Sequence, residues 1–97
     1  MAKTPKIEFT RTIKDSFGDR SFIVLVDGEI FFDVTKGTGD QWYTYGPDPQ
    51  EPKVNKLVEK YGLEGDWDVD FGTTITEAKR VIKRAIRRRM AERIQAP

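Results

Sequence analysis

The sequence predicts an α+β fold, a four- to five-stranded antiparallel sheet with two helices packed on one face, in the order ββββαβα. Two observations carry this expectation. Up to Tyr45, apolar residues recur at alternate positions between glycine-containing turns, which is the pattern of half-buried strands. Beyond Pro52 the apolar spacing changes to three and four, the period of an amphipathic helix.

Ile7, Phe9 and Ile13 alternate with Glu8, Thr10, Thr12 and Lys14 and read as a first strand, ended by the loop Asp15-Ser16-Phe17-Gly18-Asp19. Phe22 to Val26 and Glu29 to Val34 are β-branched and aromatic runs on either side of Asp27-Gly28, a dipeptide that accepts the two positive φ values of a type I′ hairpin turn. Gln41 to Tyr45 reads as a fourth strand, stopped by Gly46-Pro47. Val54, Leu57, Val58 and Tyr61 form a helical stripe, with Asp48 to Pro52 at its start and Gly62 placed to cap its end. Trp67, Val69 and Phe71 alternate with Asp66, Asp68 and Asp70 and read as a fifth strand. Thr74-Ile75-Thr76-Glu77 is a capping box that opens the last helix. The expected organisation is one domain over residues 1–97, with a β-meander at 1–46, a short helix at 48–62, a strand at 66–71 and a long basic helix at 75–94. The expected core is Phe9, Ile13, Phe22, Val24, Val26, Ile30, Phe32, Leu57, Val58, Trp67, Val69, Phe71, Ala78, Val81, Ile82 and Ala85.

Composition narrows the chemistry. Among 97 residues there is no cysteine and no histidine, which excludes disulfides, thiolate nucleophiles and the usual zinc sites, and removes the commonest general base. No G-x-S-x-G, Walker A or H-E-x-x-H pattern is present, so a non-enzymatic protein without a cofactor is expected. The Met-Ala-Lys-Thr-Pro start lacks the apolar stretch of a secretory signal, and the expected location is the cytoplasm, with no membrane span. The net charge of +1 conceals a division. Residues 1–76 hold nine Lys/Arg against fourteen Asp/Glu, net −5, whereas residues 77–97 hold eight against two, net +6.

A strand ending in an aromatic residue, then Gly-Thr, then Thr-x-x-Glu-Ala-Lys opening the last helix behind a small β-meander resembles many small phage-encoded orphan proteins. It is also similar to the three-stranded, one-helix domains with which some phage integrases bind arm sites. The resemblance covers roughly Phe71 to Ile82 together with the hairpin; the role expected of the chain, a regulatory or accessory protein that binds nucleic acid or a protein, rests on its last helix. In those integrase domains basic sheet residues touch DNA. The sheet of this chain is rich in acids, so no site residue is carried over.

The last helix is the main candidate site. At ~100° per residue, Ile75, Ala78, Val81, Ile82, Ala85 and Ile86 share one face, and Lys79, Arg80, Lys83, Arg84, Arg87 and Arg88 occupy the other. That basic face suits nucleic acid phosphates, and equally a plain solvated surface. Past Arg88 the faces exchange: Arg89 and Arg93 rotate toward the apolar side and Met90 and Ile94 toward the basic side, so the last two turns are expected to overhang the body. Ile86, Arg89, Met90, Arg93 and Ile94 are the corresponding candidates for a protein partner or a second copy of the chain. Asp66, Asp68, Asp70 and Glu77 stand at positions 1, 3, 5 and 12 of a calcium loop, but Phe71 occupies position 6, where the sharp turn requires glycine, so the strand reading is favoured. Of Trp42, Tyr43 and Tyr45, crowded on one short strand, one alternating set must face outward if a single side of the sheet is covered.

Overall fold

The computed structural model describes residues 5–14, 16, 18–36, 41–65, 67 and 71–95, with backbone only for residues 93–95. The architecture is α+β, an antiparallel four-stranded sheet and two helices. The strands are β1 (Ile7–Phe9), β2 (Ile13–Lys14), β3 (Arg20–Val26) and β4 (Glu29–Lys36), and the helices are α1 (Pro52–Tyr61) and α2 (Ile75–Gln95). No described helix is long and apolar enough to cross a membrane.

The hairpin forms as the sequence predicts. Asp27 and Gly28 carry φ of 54° and 79°, the positive pair that a type I′ turn needs, and β3 and β4 pair from Val26↔Glu29 outward. β3 alternates cleanly, with Phe22, Val24 and Val26 buried and Ile23 and Leu25 only partly covered. On β4 the alternation breaks. Ile30 pairs with Leu25 and Phe32 with Val24, so Phe31 is an extra residue, a β-bulge. Its consequence is that Phe31 and Phe32 are both buried, while Ile30, expected in the core, stands 59% exposed on the open face of the sheet.

The expected first strand is two strands. β1 pairs with β3 from Ile7↔Val26 to Phe9↔Val24, and β2 pairs with the same edge of β3 at Ile13↔Ser21. Between them the edge advances four residues against three on β3. Thr10 spans this irregularity: its backbone N–H donates to the Ile23 carbonyl, and its hydroxyl oxygen accepts the Ile23 N–H at 2.8 Å. One residue of slip turns a strand over, and Ile13, also expected in the core, is 63% exposed on the open face.

The segment expected as a fourth strand is an isolated bridge, Thr35↔Tyr43. Trp42 donates its N–H to the Gly72 carbonyl at 3.0 Å, so the segment is shared between β4 and the chain entering α2 and does not build a ladder on either. Of the expected fifth strand, Asp68, Val69 and Asp70 lie outside the described residues, and Trp67 and Phe71 are buried but not in a strand. The element order of the described residues is therefore ββββαα.

α1 begins with Pro52 in its first turn and ends at Gly62, whose φ of 69° is the left-handed cap anticipated from the sequence. Leu63 N–H then bonds the Val58 carbonyl, and the Leu63 side chain is fully buried. α2 is opened by Thr74, whose hydroxyl oxygen accepts the Glu77 N–H at 3.2 Å. The Glu77 side chain lies against Gly72, where φ is 82° and no side chain has room.

One core joins these elements: Phe22, Val24, Val26, Phe31, Phe32 and Val34 from the sheet, Val54, Leu57 and Tyr61 from α1, Ala78, Ile82 and Ile86 from α2, with Trp42, Leu63, Trp67 and Phe71 between them. Tyr61 and Asp27 lock the hairpin turn to α1. The Tyr61 hydroxyl donates to one Asp27 oxygen, Lys6 N–H donates to the other at 3.0 Å, and Lys60 Nζ lies 3.9 Å from the first. That hydrogen bond, with burial, raises the Tyr61 pKa above its ordinary value near 10.

Candidate functional site

α2 derives its two faces from its spacing. Ala78, Ile82 and Ile86 recur every fourth residue and are wholly buried against the sheet. At ~100° per residue, Arg80, Arg84 and Arg87 fall within about 60° of each other and directly opposite that stripe. All three are exposed. Arg88, one step round the helix and also exposed, pairs with Glu92 at 3.4 Å. Arg80, Lys83, Arg84, Arg87 and Arg88 together line a shallow open depression along the helix.

The six cations expected to act alike separate into two groups. Lys79 and Lys83 turn inward, with Lys79 Nζ 5.5 Å from the Phe9 ring centre and 5.8 Å from that of Phe22, and Lys83 Nζ 5.7 Å from that of Phe9. Both are half-buried, their stems covering the apolar edge of the sheet and their charges facing aromatic rings. Arg80, Arg84, Arg87 and Arg88 are left to face solvent as a band of guanidinium groups. Guanidinium is the group best matched to phosphate, through its planar fork of donors.

The partner candidates are placed differently from expectation. Ile86 is fully buried in the protein's own core and offers nothing to a partner. Arg89 does turn to the core side, but it does not mark an overhang. Its guanidinium carbon lies 3.9 Å from the centre of the Trp67 ring, one of its nitrogens reaches the Ala85 carbonyl at 3.3 Å, and Met90 packs beside it against the core. An arginine is tolerated there because its flat cation covers an indole face. The body thus explains α2 as far as Met90, about half a turn beyond the exchange of faces read from the sequence; the side chains of Arg93 and Ile94 lie outside the described residues.

Asp66, Asp68 and Asp70 also lie outside the described residues, and Glu77 is occupied in the turn at Gly72. Among the described residues no group of three or more carboxylates is arranged to hold a metal ion. Tyr43 and Tyr45 are the outward set of their segment, with ring centres 5.7 Å apart and Tyr45 92% exposed, while Trp42 is buried. Comparison with protein-family models, with curated proteins and with solved structures finds no match.

Proposed function

We propose that this protein is a small non-enzymatic accessory or regulatory protein that binds nucleic acid along the outer face of α2. The observation that carries this reading is the exposed arginine band, Arg80, Arg84, Arg87 and Arg88, set on a helix whose opposite side is fixed in the core. A rigidly anchored helix presents its cations without the ordering cost of a disordered basic tail. Arg80 to Arg87 spans about 10 Å of helix axis, enough to follow several phosphates with little choice of sequence.

Electrophoretic mobility or fluorescence anisotropy with a labelled generic duplex tests the reading. Four phosphate contacts predict a plot of log affinity against log salt with a slope of about −3.6 or steeper. The charge-reversing pair Arg84→Glu and Arg87→Glu is expected to abolish binding while leaving the thermal transition in place, since both residues point away from the core. No binding by the unmodified protein at low salt removes the proposal.

A protein partner remains the second reading, supported by a different feature. Of the large apolar side chains exposed among the described residues, Ile13, Ile30 and Tyr43 pair into the sheet side away from α2, and the Tyr45 ring meets that of Tyr43 edge-on. Concentration-dependent mass in sedimentation, removed by Ile13→Thr with Tyr45→Ser, would favour it, with a second copy as the occupant.

A further inference from the structure

Lys14, Arg20 and Lys36 are direct cross-strand neighbours: Lys14 pairs with Arg20 and Arg20 with Lys36. They form a row of three positive charges across the end of the sheet. Arg20 is two residues from Phe22 and shares its face, and paired residues project to the same side, so the row lies on the helix side of the sheet. No ion pair joins any of the three to a carboxylate among the described residues. Like charges placed directly opposite one another weaken a sheet. A fold that keeps three in register carries an arrangement that its own stability does not explain.

The row meets the foot of α2. Lys36 Nζ donates to the Thr73 carbonyl at 2.8 Å, two residues before the helix begins. Lys79 lies over Phe22, about one same-face step of roughly 7 Å from Arg20. Lys79, the neighbour of Arg80 in the chain, thus brings positive charge of α2 toward the sheet end. We infer that Lys14, Arg20 and Lys36 form a second phosphate-contacting element that extends the track on α2 by three positions, the ligand being the phosphodiester backbone of the same nucleic acid. This rests on the proposed role of α2. A bound backbone supplies the negative charge that relieves the repulsion within the row.

Neutralising the row, with Lys14→Gln, Arg20→Gln and Lys36→Gln together, separates binding from structure. Seven contacts in the unmodified protein predict a salt slope of about −6 on a labelled duplex of about 20 base pairs, and four in the variant predict about −3.6. Removal of the repulsion raises the thermal midpoint of the variant and loss of the Lys36 hydrogen bond to the Thr73 carbonyl lowers it, so the midpoint should move little. The milder pair Lys14→Gln with Arg20→Gln, which keeps the Lys36 hydrogen bond to Thr73, should give an intermediate slope and serves if the triple variant folds poorly. An unchanged slope in these variants, with binding still lost on charge reversal at Arg84 and Arg87, overturns the row and leaves the α2 reading standing. Absence of duplex binding by the unmodified protein overturns both.

Discussion

At the scale of single residues, Phe31 shows how one inserted position redistributes a strand. Strict alternation places Ile30 and Phe32 inward, and the bulge exchanges Ile30 for Phe31. Truncation measures the exchange directly. Phe31→Ala removes a fully buried ring in edge contact with Trp67 and is expected to cost about 3–5 kcal/mol in urea unfolding, whereas Ile30→Ala should cost about 1 kcal/mol or less. Equal losses at the two positions would contradict the register. Tyr61 offers a second test through pH. Its pKa is raised in the folded state by the hydrogen bond to Asp27 and by burial, so the stabilisation it brings is complete below its unfolded value near 10 and is lost as pH rises toward the folded value. Unfolding free energy should accordingly fall above about pH 10, and Tyr61→Phe should flatten that fall while costing about 0.5–1.5 kcal/mol at neutral pH.

At the scale of elements, what was legible in the sequence is what local chemistry determines. The Asp27-Gly28 turn, the Gly62 cap and the Thr74 cap each depend on a few adjacent residues, and each is found where the sequence places it. The two-part edge strand and the bulge depend on how a neighbouring strand pairs, which no single segment encodes. α2 was legible on its apolar stripe and at Arg80, Arg84, Arg87 and Arg88 but not at Lys79 and Lys83, which turn toward aromatic rings, and the inward turn of Arg89 was read correctly. Its meaning was not, because the Trp67 ring that receives Arg89 is 22 positions away in the chain and joined to it only by the fold. Arg89→Ala should cost about 0.5–2 kcal/mol, and hydrogen exchange should show the amides of the turn from Arg87 to Ala91 losing protection more than those near Ile82. Uniform loss along α2 would mean that the stacking does not anchor that turn.

At the scale of the whole molecule, charge is partitioned. The first 76 residues are net −5 and the remainder net +6, so an approaching polyanion is drawn toward α2 more strongly than toward the body as a whole. Association with duplex, followed by stopped-flow anisotropy, is expected to slow steeply as salt rises, with a weaker effect on dissociation. A salt effect confined to dissociation would argue against steering by the divided charge. The core that holds this arrangement together closes last in chain order. Phe22, Val24, Phe32 and Val34 lie within the first 34 residues, and Ala78, Ile82 and Ile86, which cover them, lie in the last quarter of the sequence. Pairings of such separation are slow to form, because the loop between them must be closed before any contact rewards it. During synthesis the apolar side of the hairpin is therefore only partly covered, by α1, Trp42 and Trp67, until α2 has emerged. The outer arginines of α2 become a rigidly held surface only at that step, so that the exposed band and the completed fold arise together.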